Sequence, residues 1–321
     1  MNDYNKIKEL VEKADNILIF SHVNPDGDTI SSVLALSLAI KSHFNKEATP
    51  VYMGKYPEIY NFLPKHKTFK NIDEIDRTKV YDLAIAVDIA SKDRLMDSGE
   101  IYFKAKHTIN IDHHKTNNGY GEFNYIDSVA CSCGQILFDI FNELNIEINK
   151  EIAECLYVSI MTDTGGFKYE NTNVKALLTA AELVKKGADP CFLYRACYES
   201  KPQGMVQLQA FAITNAVFSN NGKVVYVVIT KEMMKQFNAT DDYTDGIAEA
   251  LRQIKTVEIS IVLKENSAGH TKVSMRSKKI DLTKIATTFG GGGHQFAAGC
   301  TIKKNPQVAI NKLLECIESE L

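Results

Sequence analysis

Asn16-Ile17-Leu18-Ile19-Phe20-Ser21-His22-Val23-Asn24-Pro25-Asp26-Gly27-Asp28 decides how this chain is read. An apolar run of strand length, Asn16–Ser21, passes directly into a turn presenting one imidazole and two carboxylates. Two similar runs follow, Tyr81–Val87 and Thr108–Ile111, and all three suit strands buried on both faces. Around them lie stretches with helical spacing: Ile30–Lys41, Cys133–Leu144, Glu151–Met161 and Lys175–Lys186. Strand then helix, repeated, predicts an α/β domain built on a parallel sheet with right-handed crossovers. Such sheets place their chemistry at the carboxyl ends of the strands.

Further along the chain the pattern changes. Lys223–Thr230, Val257–Lys264 and Thr271–Met275 are β-branched runs that predict a small mixed sheet. Helices are expected over Asp245–Ile254 and Gln307–Leu321. Between the halves, Asp189–Gln207 carries Pro190, Pro202 and Gly204 and reads as a linker, with a helical turn inside it at Cys191–Tyr198. The expected organisation is a parallel-sheet α/β domain over 1–188, a linker over 189–212, a smaller α+β domain over 213–321, and a cleft between the domains. A chain of 321 residues is long enough for two cores. A net charge of −3 excludes a general nucleic-acid clamp, so any polyanion must meet a local basic patch. No apolar run reaches the roughly 18 residues of a membrane span. The charged first residues hold no signal-peptide core. Seven scattered cysteines, an odd number, point to reduced thiols and a cytoplasmic protein.

Each predicted strand or helix end delivers an acid or a histidine. Asp26 and Asp28 alone would be ordinary turn residues. His22 beside them changes that, because mixed imidazole and carboxylate donors at close spacing suit a divalent metal. Asp88 closes an apolar strand, where a carboxylate is costly to bury unless paired or ligating. Thr108–Ile111 runs into Asp112-His113-His114, and the helix Glu151–Met161 into Thr162-Asp163. The combined donors exceed the needs of one ion. Two ions about 3.5–4 Å apart, bridged by a carboxylate, are the arrangement of many phosphatases and nucleases. A dinuclear phosphoester hydrolase is the reading.

His22-x-x-x-Asp26-x-Asp28, Asp88, Asp112-His113-His114 and Asp163 resemble, in order, the four motifs of the DHH phosphoesterases. That family includes RecJ-type exonucleases, family II pyrophosphatases, and small oligoribonucleases that also dephosphorylate 3′-phosphoadenosine 5′-phosphate (pAp). The resemblance implies two divalent ions, usually Mn²⁺. His22 and Asp26 would hold one, Asp28, His113 and Asp163 the other, and Asp88 would bridge them. It also implies that His114 lies beside the scissile phosphate, with Asp112 supporting the histidines. Phe289-Gly290-Gly291-Gly292-Gly293-His294-Gln295-Phe296-Ala297-Ala298-Gly299 resembles the signature of the DHH-associated C-terminal domain.

In that second domain Gly291, Gly292 and Gly293 would let backbone N–H groups approach a phosphate, and His294 would contact phosphate or base. Thr271–Lys304 carries seven cationic side chains against one acid, Asp281. Within it Arg276 is the expected phosphate fork, and Arg195 near the linker is a second candidate. The expected substrates are short oligoribonucleotides, linear dinucleotides such as pApA, and pAp, with a homodimer and no membrane partner. A soluble cyclic di-AMP phosphodiesterase would use the same metals. A family II pyrophosphatase is disfavoured by the Gly290–Gly293 run, and a non-catalytic nucleotide-binding regulator by the intact ligand set. His43, His66, His107 and His270 read as surface or packing histidines. Cys131 and Cys133 lack the second pair of a zinc site. The tyrosines form no base-stacking stripe along the sequence.

Overall fold

The computed structural model describes residues 4–266 and 269–318. The chain divides into two compact units between Ser200 and Lys201. In the first, six parallel strands form one sheet: β1 (Ile17–Val23), β2 (Ala48–Met53), β3 (Lys70–Asn71), β4 (Leu83–Val87), β5 (His107–Asp112) and β6 (Phe123–Ile126), in the order β3-β2-β1-β4-β5-β6. β1 and β4 are buried almost end to end, as their uninterrupted apolar composition requires. One sheet face packs against α1 (Asn5–Lys13), α2 (Gly27–Phe44), α4 (Cys133–Glu143), α5 (Lys150–Asp163) and α6 (Val174–Lys185). Ile101 and Tyr102 of α3 (Ser98–Lys104) pack into the core on the other face.

Three strands of this sheet, β2, β3 and β6, escape the sequence reading. Pro50 argues against β2 being a central strand, since it cannot donate to a ladder. The structure resolves the conflict: β3 begins only opposite Val51, so Pro50 faces no partner on that side. β3 and β6 have two and four residues, too short for a periodicity signal.

The second unit carries a mixed sheet of β7 (Val217–Ser219), β8 (Val224–Ile229), β9 (Ile259–Glu265), β10 (Thr271–Ser277), β11 (Gly292–His294) and β12 (Ala297–Ile302), ordered β11-β12-β10-β9-β8-β7. Only β8 and β9 run parallel. Its faces are covered by two clusters, one including α11 (Leu282–Thr288) and α12 (Pro306–Glu318), the other α8 (Gln203–Thr214) and α10 (Ile247–Arg252). The segment expected as a linker is largely helical. α7 (Pro190–Tyr198) lies in the first unit, capped by Asp189, and α8 opens the second. α9 (Lys231–Gln236) completes the helices named here.

Candidate metal centre

The ends of β1, β4 and β5, the first turn of α2 and the last residue of α5 bring the six expected ligands together. Asp26 caps α2, its Oδ1 accepting from Thr29 N (3.1 Å) with Thr29 Oγ1 at 3.0 Å, while Oδ2 lies 3.8 Å from His22 Nε2. His22 Nδ1 lies 2.9 Å from the Val23 carbonyl. A proton on Nδ1 satisfies that carbonyl and leaves the Nε2 lone pair for a ligand. Asp88 follows β4 in the left-handed region (φ 62°), a conformation Asp tolerates better than most residues. Its Oδ2 stands 3.7 Å from His22 Nε2 and its Oδ1 3.6 Å from His113 Nε2. Asp28 Oδ2 and Asp163 Oδ2 lie 3.7 and 3.9 Å from the same His113 nitrogen.

These separations are too long for hydrogen bonds. They match the spacing of donors around one ion, since ligands at about 2.1 Å stand roughly 3–4 Å apart. The charge balance agrees. Among the described residues no lysine or arginine pairs with Asp26, Asp28, Asp88, Asp112 or Asp163. Burial and the neighbouring Asp88 lift the Asp28 carboxyl well above its ordinary range. Burial, with Asp88 close by, pushes Asp163 up to about 6. Burial would lower His113, but Asp88, Asp28 and Asp163 outweigh it and push it up to about 10. A cluster this short of positive charge is a fitting seat for divalent cations. His22/Asp26/Asp88 and Asp28/His113/Asp163 each converge tightly enough to hold an ion.

Several supporting groups were invisible in sequence. Asp28 accepts from Ser159 Oγ (2.5 Å), Ser32 Oγ (2.9 Å) and Cys133 N (2.9 Å). Asp88 accepts from Thr29 Oγ1, and the Cys133 thiol lies 3.8 Å from its Oδ1. Asn171 Nδ2 donates to Asp163 (3.2 Å). The fully buried Asp112 receives His114 Nδ1 (2.8 Å), His113 N (2.9 Å) and Asn117 Nδ2 (2.6 Å). These donors hold each carboxylate in one orientation, as the outer partners of metal ligands do.

Gly134 shows how little room this shell has. A Cβ there would lie 2.1 Å from Ser159 Oγ and 2.6 Å from Ser159 Cβ. Gly134→Ala is therefore expected to lower stability by about 1–3 kcal/mol and to pull Ser159 off Asp28. Urea unfolding with and without Mn²⁺ checks this: an unchanged midpoint in both would show that the helix contact relaxes freely.

The substrate-binding candidates belong to both units, Arg195 to the first and the others to the second. Arg276 on β10 is half-buried, its Nε donating to Glu249 (2.7 Å) and its Nη1 to the Met275 carbonyl (2.9 Å). The glycine run is not an open loop throughout: Gly292–His294 is the short edge strand β11, paired with β12. Gly291 and Gly293 are required by close packing, since a Cβ would fall 2.2 Å from Gly299 O and 2.5 Å from Ala297 O. Gly292 has neither a positive φ nor any atom within 4 Å of a Cβ. The register sets position 294 opposite Ala297, and Ala297 opposite Arg276. The side chain of His294 lies outside the described residues. Arg195 on α7 is exposed, 3.7 Å from Glu199.

With this geometry in hand, comparison with known proteins is specific. Residues 16–160 match the model of the DHH family, N-terminal domain, and residues 221–321 that of the DHHA1 domain. The chain is 30% identical over 300 residues to the probable bifunctional oligoribonuclease and PAP phosphatase NrnA of Streptococcus mutans, covering 93% of each. It is 31% identical over 307 residues to the bifunctional oligoribonuclease and PAP phosphatase NrnA of Thermus thermophilus, covering 95% of this chain and 90% of that one. The crystal structure of an exopolyphosphatase-related protein from Bacteroides fragilis superposes with a TM-score of 0.91 at 26% identity, covering 97% of this chain and 94% of that one.

Proposed function

This chain belongs to the DHH family, a metal-dependent phosphoesterase family, and we propose that it hydrolyses short oligoribonucleotides to 5′-mononucleotides and removes the 3′-phosphate of pAp. One observation carries the reading: the two oxygens of Asp88 face different imidazoles, at 3.7 and 3.6 Å, as a bridging carboxylate would. His22 and Asp26 would hold one ion, and Asp28, His113 and Asp163 the other, with Mn²⁺ the metal we favour. When bound, two such ions supply Lewis acidity toward phosphate oxygens and lower the pKa of water.

The chain's own residues do the rest. Ser32, Ser159 and the Cys133 amide fix Asp28, and Thr29 fixes Asp26 through its amide and Asp88 through its hydroxyl. Asp112 ties down His114 Nδ1, so that Nε2 is the nitrogen left to meet substrate. In the second unit Arg276 keeps Nη2 free of hydrogen bonds among the described residues, and the space around Gly292 is uncrowded, with no atom within 4 Å of where a Cβ would stand. We assign both to the nucleotide grip. The enzyme would work in the cytoplasm, where its seven cysteines stay thiols. No described helix is long and apolar enough to cross a membrane.

Arg276→Ala is expected to raise KM for pApA and pAp about tenfold with kcat little changed, the signature of lost ground-state binding. An unchanged KM removes Arg276 from the phosphate site and leaves it as the partner of Glu249. The function itself is tested by chromatography of products from pApA, pAp, cyclic di-AMP and pyrophosphate in Mn²⁺. AMP from the first two is expected. Fast turnover of cyclic di-AMP, or of pyrophosphate alone, would overturn the assignment.

A further inference from the structure

Tyr52, Tyr56 and Phe69, scattered in sequence, meet at the carboxyl edge of the parallel sheet. Their ring centroids are 5.4 Å (Tyr52–Tyr56), 5.6 Å (Tyr56–Phe69) and 6.2 Å (Tyr52–Phe69) apart. The reason is topological. Because β3 starts only opposite Val51, the whole connection 54–69 is held above the edge that also carries Asp26, Asp28 and Asp88. Two contacts join it to the metal loop. Asn24 N donates to the Met53 carbonyl (3.1 Å) while Asn24 Oδ1 accepts from Lys55 N (3.3 Å). The Tyr60 hydroxyl sits so near Gly27 that a Cβ there would come within 2.7 Å of it.

The three rings line an open cavity of about 500 Å³, a volume in the range of ligand sites, with Lys55, His66 and Lys67 also in its lining. All three rings are partly exposed, Tyr56 and Phe69 with one side packed against the core. Lys67 is exposed and makes no ion pair among the described residues. His66 Nδ1 is taken up by the Leu63 carbonyl (3.0 Å), which leaves Nε2 as its available nitrogen. Glu58, in the same lining, offers an acceptor to a ribose hydroxyl or a base amine. Aromatic faces beside cationic groups are how single-stranded nucleic acid is held without sequence preference.

We propose that this cavity is a subsite for a nucleotide of the substrate chain beyond the scissile bond, with the base against Tyr52 and Phe69 and the phosphate on Lys55 and Lys67. The proposal rests on the phosphoesterase reading and deepens it. A chain of several nucleotides uses the subsite; pAp, with a single base, does not. The cavity would thus set the preference between the two substrate classes at one metal centre.

The test compares kcat/KM for pentaadenylate and for pAp in Mn²⁺. The ratio is expected to fall about tenfold in Lys55→Ala/Lys67→Ala and ten- to a hundredfold in Tyr52→Ala, the range for losing one stacked base. The surface lysine pair keeps the proposal testable if Tyr52→Ala fails to fold. Fluorescence anisotropy of labelled pentaadenylate in EDTA supplies a second readout, with the same loss of affinity expected in both variants. Equal losses on both substrates, or none, overturn the subsite. A wild-type protein that hydrolyses neither substrate, yet binds pentaadenylate with this variant dependence, overturns the phosphoesterase reading and keeps the subsite.

Discussion

Asp88→Asn abolishes hydrolysis of every phosphoester substrate, with kcat reduced on the order of 10⁴-fold or more, as when one member of a concerted catalytic unit is removed. The expectation follows from where its two oxygens point. One faces His22 and the other His113, so a single substitution weakens both candidate ion sites, whereas loss of Asp26 or Asp163 weakens one. Asn keeps the volume and the hydrogen bond from Thr29. The metal-free protein therefore keeps its fold, and its melting temperature does not fall, because one buried like charge beside Asp28 has gone. What disappears is the stabilisation that metal confers. At free metal a hundredfold above Kd, one bound ion adds about 2.7 kcal/mol. Thermal melts with and without Mn²⁺, read beside metal content by atomic emission, distinguish a lost site from a lost fold. If the variant still binds two ions per chain and turns over within tenfold of wild type, Asp88 bridges nothing.

The acids and histidines of this site were legible in sequence because each ends an element with an unmistakable apolar pattern. Where Ile17 to Phe20, Leu83 to Val87 and Ile109 to Ile111 must be strands, the polar residue that follows must emerge at the sheet edge. The groups that hold those side chains were not legible. Ser159 lies four residues before Asp163 within the apolar stretch Cys155–Met161 of its helix and reads as a neutral filler. The packing of α2 on α5 brings its hydroxyl to Asp28, more than a hundred residues away in the chain, and Gly134 of α4 closes on the same serine. Arg276 was singled out by charge and local pattern, which say nothing of Glu249 lying 27 positions earlier. The glycine run shows the same limit: glycine permits a phosphate loop and a tightly packed edge strand alike, and here Gly291 and Gly293 serve the strand.

The second large effect is expected at His114. Its ring touches two carboxylates, Asp112 at 2.8 Å and Asp88 Oδ1 at 3.6 Å, both through Nδ1. The short contact is a hydrogen bond and the long one is not. Asp112 is held in turn by Asn117, and burial of its carboxyl is outweighed by these partners, which keep it below the usual carboxylate range. A buried carboxylate that fixes one ring nitrogen orients the other for proton delivery or phosphate contact, and such a group contributes typically 10²–10⁴-fold. His114→Gln should therefore lower kcat on pApA by that factor while metal content stays at wild-type level. Asp112→Asn should cost about 10–100-fold, because it loosens His114 without removing it. The competing possibility is that His114 is itself a ligand, since Asp88, His113 and His114 also converge. Leaving-group dependence separates the two. If His114 donates a proton to the departing oxygen, a p-nitrophenyl ester, which needs no such proton, loses far less activity than pApA in His114→Gln. Equal losses on both esters, together with one missing ion per chain, would make His114 a metal ligand.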